Sequence, residues 1–512
     1  MAYEGFTGRL SKEKQDLHDI KNSAAEFFRV NRIPQEIERA LNELYFHKPE
    51  DVHGYLANHF INLSAPPKIS RLKGKEVYDA RGQLSTEAEV FCIICNKEKS
   101  MSSAVVSSHF GPKETSLDWN TQVRADHVMT AVQWINEPLN NLLKGLNPCD
   151  QSEVDHILSN FFMARHLEEK DIRNKEKQES HFSSEAEVAL PSPPPDQTKD
   201  KKSVDRGKKS NTAEKPFPST EPPEPVLPGS LAIGSVSLAV AKTGAQIYSI
   251  PLYKYIAALN RKAPTQFHIP VPLVTLLSCG KNSPGKLNLL EEVILIPKVG
   301  QRVRQIITMT LELQKEIMRI MNTSTKAGSK GKYEVATGVL KSPDELVDMY
   351  QALISKYPAV VALIDPFRRE DIDQWEKLSN VLGDSCSLLS DTTYKSKTPP
   401  LLGARGHILK HIHETTVSDL IRITSEHQGS VFVGTTCSEP CSDASLSDIA
   451  VALGLDYVKL GGLNGAERMT KYNRLISIEE ELAQQGILVF KEKHPPPLFT
   501  EKPLEESTER TV

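Results

Sequence analysis

Near the start of the chain, apolar residues recur at helical spacing in two short segments: Ile37, Ala40, Leu41 and Leu44, then Val52, Tyr55, Leu56, Phe60 and Leu63. The first opens at Asn31-Arg32-Ile33-Pro34, where proline suits an opening turn, and the second follows His47-Lys48-Pro49. The pattern predicts a helical hairpin within residues 1–67. Two short helices carrying so wide an apolar stripe have too little core to bury it unaided. The hairpin therefore pairs with another chain or packs on its own.

From Lys68 the pattern changes to period two, with Ser85, Glu87 and Glu89 alternating with Thr86, Ala88, Val90 and Cys92, which reads as a half-buried strand. A second strand at Ala104-Val105-Val106 and helical patterns over 123–143 and 152–164 make residues 68–164 an α+β domain. Residues 165–228 are rich in Lys, Glu and Pro, including Pro191-Ser192-Pro193-Pro194-Pro195, and are poor in apolar side chains. Such a segment cannot offset its ordering entropy by burial, so it is expected to be a disordered insert. Order is expected again over 229–490, first as a buried helix from Gly229 to about Gly244. Strand-like runs follow at Val293-Ile294-Leu295-Ile296, Val360-Val361-Ala362-Leu363-Ile364 and Val431-Phe432-Val433, alternating with amphipathic helices. That alternation predicts an α/β barrel. Residues 491–512, with Pro495-Pro496-Pro497, are expected to be a mobile tail.

Composition narrows the function classes. The 512 residues carry a net charge of −4 with both signs interspersed, which lacks the basic footprint of a nucleic-acid binder. No apolar run approaches the roughly 20 residues of a membrane span, and Met1-Ala2-Tyr3-Glu4-Gly5 lacks the order of a signal peptide, so a cytoplasmic location is expected. Seven cysteines, an odd number, favour reduced thiols. Cys92 and Cys95 read as core residues, and Cys437 and Cys441 lack an evident third and fourth metal ligand.

Several motifs resemble those of the enolase family. Glu76-Val77-Tyr78-Asp79-Ala80-Arg81-Gly82 is similar to V-x-D-S-R-G, and Ile250-Pro251-Leu252-Tyr253-Lys254-Tyr255-Ile256 to N-V-P-L-Y-K-H-L. Pro270-Val271-Pro272 and Leu289-Leu290-Glu291-Glu292 resemble P-V-P and L-Q-E-F. Ile364-Asp365-Pro366-Phe367 resembles I-E-D-P-F, and Ala466-Glu467-Arg468-Met469-Thr470-Lys471-Tyr472-Asn473 resembles S-E-R-L-A-K-Y-N. The N-terminal module and proline-rich insert look like those of the divergent branch of this family found in vertebrate male germ cells and the sperm flagellum. Within the module, Leu41-Asn42-Glu43-Leu44 and Lys48 to Ala57 resemble the RII-alpha type of docking module. That likeness implies a homodimer that captures an amphipathic helix of a scaffold protein.

The family resemblance implies dehydration of 2-phosphoglycerate to phosphoenolpyruvate, a glycolytic lyase reaction in which a neutral lysine removes a proton and Mg²⁺ stabilises the enolate. Aligning His407-Ile408-Leu409-Lys410 with L-L-L-K gives Lys410 the place of the base; the alternative is a solvated lysine before a helix. Tyr457-Val458-Lys459-Leu460-Gly461 aligns with I-K-T-G, implying that Lys459 binds the substrate carboxylate, against the alternative of a surface lysine. Glu291 aligns with the glutamate at the reacting hydroxyl, or is a structural acid.

The metal carboxylates depart from the family pattern. Ile364 and Ser390 replace two of them, leaving Asp365 and Asp391 one position onward as candidate ligands, and one step along a strand reverses the face. The helix over 311–321 leads through a short linker to Tyr333, so the G-D-E-G-G loop and one metal aspartate are missing and the (β/α)8-type barrel is expected to lack one unit. Asn282 and Thr436 replace a family histidine and the phosphate-binding arginine, and Ser107-Ser108-His109-Phe110-Gly111 shortens the mobile loop. The activity implied is weak or lost; a non-catalytic scaffold is the alternative.

Overall fold

A computed structural model of the chain describes residues 12–107, 117–185, 227–260, 264–278, 292–326, 343–367, 371–383, 385–390, 403–410, 415–426, 431–434 and 443–492. The chain divides into two units, Met1–Pro67 with Ile93–Lys97, and Lys68–Cys92 with Glu98–Val512.

Among its described residues the first unit holds three helices: α1 (Lys12–Val30), α2 (Ile33–His47) and α3 (Val52–Asn62). Arg32 and Lys48, at φ 52 and 45, take left-handed conformations at the two ends of α2. Asp51 caps α3 by accepting from the Gly54 N–H at 2.8 Å, which satisfies a donor the helix cannot use. His59 and Glu43 at 3.1 Å, and Tyr55 and His47 at 3.0 Å, join α3 to α2. Of the apolar stripe only Ala40 is buried; Ile37, Leu41, Val52, Phe60 and Leu63 are exposed, as are Leu17, Ile20, Phe27, Phe28 and Val30 of α1.

The second unit begins with a three-stranded sheet of β1 (Lys68–Tyr78), β2 (Leu84–Ile94) and β3 (Lys97–Ser107). Ala88, Val90 and Cys92 are fully buried, following the predicted alternation, although Ser85 is buried too. Asp79 closes the β1–β2 turn by accepting from the N–H groups of Arg81 and Gln83 at 2.8 and 2.9 Å. Cys95, expected in the core, is exposed: it and Asn96 have φ 51 and 62 and make the tight β2–β3 turn.

Next come α4 (Leu117–Trp134), a π-helical turn (Ile135–Leu139) that accommodates Pro138, α5 (Asn140–Leu143) and α6 (Gln151–Glu185). The α6 helix differs from the sequence reading, which begins the insert at Arg165. Its Lys- and Glu-rich continuation has high helix propensity and forms local ion pairs, Arg165–Glu168 and Arg173–Glu169. A polar composition thus excludes a packed core without excluding a helix. The remainder of the expected insert, 186–226, and the tail from 493 lie outside the described residues.

Helix α7 (Leu231–Ile247) is buried on nearly every side, and α8 (Leu252–Leu259) follows. The segment expected to open the barrel domain belongs to the same unit as the β1–β3 sheet. Ser102 Oγ of β3 bonds Thr243 Oγ1 at 2.7 Å, and Lys242 Nζ donates to the Ser103 carbonyl at 3.1 Å. An all-round apolar helix needs cover from both sides.

The remaining elements are β4 (Val271–Ser278), β5 (Glu292–Leu295), α9 (Val303–Lys326), α10 (Pro343–Lys356), β6 (Ala362–Ile364), α11 (Ile372–Leu382), β7 (Ser387–Ser390), β8 (Gly406–Lys410), α12 (Val417–Glu426), β9 (Val431–Gly434), α13 (Ser445–Ala452), β10 (Tyr457–Gly461) and α14 (Ala466–Gln484). Their strands form a seven-stranded sheet in the order β5-β4-β10-β9-β8-β7-β6, in which only the β4–β5 pair is antiparallel. Helix α9 runs to Lys326 and absorbs part of the expected linker; residues 327–342, where a barrel unit is expected to be missing, lie outside the described residues.

One apolar cluster is strand-built, from Leu273, Leu389, Ile408 and Tyr457 with Val271, Ile294, Ile296, Ala362 and Ile364. A second joins Leu363 and Leu388 to Val347, Ile354 and Trp375 of the covering helices. The strands are therefore buried on both faces, as a parallel sheet requires.

Candidate active site

Sheet register brings the two candidate lysines to one level. Lys410 of β8 pairs with Gly434 of β9, and Gly434 pairs on its other side with Lys459 of β10. At the usual strand spacing the two lysine backbones stand about 10 Å apart. Lys410 lies two residues beyond Ile408, and Lys459 two beyond Tyr457, both members of the strand-built cluster.

Lys459 is buried, and its Nζ stands 3.1 Å from Glu292 Oε2 of β5. Glu292 directly follows Glu291, the acid that the family resemblance implies and that lies outside the described residues. Glu292 is two residues from Ile294 and four from Ile296, so period two puts it in phase with the cluster. That phase was present in the sequence but hidden, because an unbroken apolar run does not show which of its residues share a face.

The end of β10 is fixed from below. Gly461 has φ +79 at a register shift in the β4–β10 pair, and its carbonyl accepts from Tyr472 Oη at 2.9 Å. A Cβ there would approach Arg468 Nε to 3.2 Å, so glycine lets α14 close over the strand end.

The helix after β8 is held by a buried carboxylate. Asp155 Oδ2 accepts from Ser418 N and Oγ at 2.9 and 2.7 Å, while its Oδ1 accepts from Ser237 Oγ at 2.6 Å and Gln151 Nε2 at 2.9 Å. Burial pushes this carboxyl above its ordinary range, against those hydrogen bonds. Sited at the first turn of α12, its negative charge also suits the helix dipole.

The candidate metal ligands are less well provided for. Asp365 lies just past β6, exposed, at φ 47, with its N–H donating to the Leu389 carbonyl at 3.0 Å. Asp391 lies outside the described residues, while Ser390 is buried in β7 and pairs with His407. Among the described residues no three His, Cys, Asp or Glu side chains form a potential metal cluster.

Comparison with known proteins adds a second kind of observation. Residues 329–494 match the family model described as enolase, C-terminal TIM barrel domain. The Enolase 4 of Danio rerio is 42% identical over 95% of this chain and 96% of its own length. That of Homo sapiens is 38% identical over 95% and 92%, and that of Mus musculus 37% over 99% and 96%.

Proposed function

The chain belongs to the enolase family, and from that premise we propose that it is an enolase-type lyase of low turnover, acting on 2-phosphoglycerate to give phosphoenolpyruvate. The observation that carries this reading is the Lys459–Glu292 ion pair at 3.1 Å on the level of Lys410. Lys410 is assigned as the base that takes the proton beside the carboxylate. Lys459 is assigned to the substrate carboxylate, and Glu292 rather than Glu291 to the departing hydroxyl. A lysine beside a bound anion is poised to balance its charge, which is what a reaction through a dianionic enolate demands.

Mg²⁺ is the family's ion, and this chain's donors fit it poorly. A divalent magnesium site takes roughly six oxygen ligands in near-octahedral geometry. Ile364 offers no oxygen, Ser390 offers a hydroxyl in place of a carboxylate, and Asp365 is an exposed residue past the strand end. Each 1.4 kcal/mol of lost transition-state stabilisation slows a reaction about tenfold, which is the reason for expecting low turnover. We assign residues 68–164 and 229–490 to the enolase-like N-terminal and barrel parts, the latter short of one unit.

A second reading is favoured by the exposed Leu41, Phe60 and Phe27 of the first unit. In it the hairpin is an RII-alpha-like module that dimerises and grips an amphipathic helix, making the chain a cytoplasmic scaffold of the sperm flagellum. No described helix is long and apolar enough to cross a membrane.

The test is phosphoenolpyruvate formation by the purified chain at millimolar Mg²⁺. Turnover that Lys410→Ala abolishes supports the lyase. A rate equal to that of the variant leaves the scaffold reading.

A further inference from the structure

Strand β4 lies between β5 and β10, so the ion pair between Glu292 of β5 and Lys459 of β10 crosses over it. Lys459 is in register with Leu273 of β4, a member of the strand-built cluster. Two residues on, Thr275 shares the face of Leu273, and its register partner is Ile294 of the same cluster. Glu292 pairs with Ser278, so Thr275 lies between the two β4 positions that the crossing pair spans.

Thr275 is only 4% exposed, and its Oγ1 is buried without a hydrogen-bond partner. Its backbone carbonyl accepts from Gln314 Nε2 at 3.4 Å and lies where a Cβ on Gly462 would come within 3.2 Å, so α9 and the end of β10 close around the strand here. An unpaired buried hydroxyl is unfavourable, and valine has nearly the same shape, also favours strands and carries no such penalty. Fold stability alone gives no reason for threonine at this position.

We propose that Thr275 is a further contact of the anion subsite, its hydroxyl donating to the carboxylate of a small acid that draws Lys459 away from Glu292. The lysine supplies charge and the hydroxyl supplies direction, a combination that orients a planar carboxylate better than an ammonium group alone. The identity of the acid rests on the lyase reading; the subsite does not.

The test uses the full chain, with Thr275→Val, Thr275→Ser and Thr275→Ala titrated calorimetrically against phosphoenolpyruvate and against D-lactate, and melting temperatures recorded for each. Removing one hydrogen bond to a charged group should weaken binding of both acids about tenfold in the valine and alanine variants, and serine should stay within about twofold of wild type. A valine variant that melts higher and binds as wild type overturns the proposal, and where valine prevents folding, wild-type binding by the alanine variant overturns it equally. Wild-type binding that depends on Thr275 without turnover keeps the subsite and ends the lyase reading. Turnover with binding indifferent to Thr275 does the reverse. Wild-type chain that binds neither acid removes both.

Discussion

Lys459 Nζ stands 3.1 Å from Glu292 Oε2, joining the two strands that flank β4. The lysine is buried and the glutamate about one-third exposed, so the pair is a charged feature at the edge of an apolar interior. Removing either partner leaves the other charge to find a substitute.

This contact sets a direct comparison between neighbouring acids. Glu292→Gln should lower turnover by at least about tenfold, because the carboxylate assigned to the departing hydroxyl is lost, while phosphoenolpyruvate affinity should not fall, since Lys459 no longer has Glu292 to leave. Glu291→Gln, one step along the chain, should change either by less than about twofold. Steady-state kinetics and calorimetry on both variants check the assignment, and equal effects would refute it.

Gly461 predicts a stability cost. With φ +79, and with Arg468 Nε 3.2 Å from the place a Cβ would occupy, Gly461→Ala should destabilise by about 1–2 kcal/mol from the left-handed backbone alone. Urea denaturation of the two proteins measures it; an unchanged midpoint would show that the strand end relaxes freely.

His268 gives a pH dependence. Burial, with Lys491 close by, lowers its imidazole from an ordinary 6.5 to about 4, while Nε2 donates to the Leu455 carbonyl at 3.1 Å. The unfolded chain therefore binds a proton between those values and the folded chain does not, so stability is fully present above pH 6.5 and is lost as pH falls toward 4. Between pH 7 and pH 5 the contribution should fall by about 2 kcal/mol. Denaturant unfolding at both pH values should show this fall, reduced in His268→Gln.

Leu41 tests the first unit. Its side chain is 52% exposed, so Leu41→Asp should leave the helices intact by circular dichroism. If the hairpin pairs through its apolar stripe, the substitution should abolish self-association in sedimentation velocity. A monomeric wild type would dismiss the pairing.

Periodicity made much of the fold legible. The stripe from Ile37 to Leu63 appears as α2 and α3, the alternation from Thr86 to Cys92 as β2, and the apolar runs near 293, 362 and 432 as β5, β6 and β9. Where composition stood in for periodicity the reading fell short, since 165–185 is helical despite its polarity. Cys95 shows a related limit, because a residue at the end of an apolar run can be the turn that ends it.

By itself the sequence determined the family and the strand and helix types, because those follow from local periodicity and from motifs that survive in order. Tertiary structure alone decided that Glu292 meets Lys459, that Thr275 lies between the β4 positions they span with its hydroxyl unpaired, and that Asp155 caps a helix more than 250 residues away. Those relations depend on which strands become neighbours and on the phase of each strand, and neither is fixed by any residue's local surroundings.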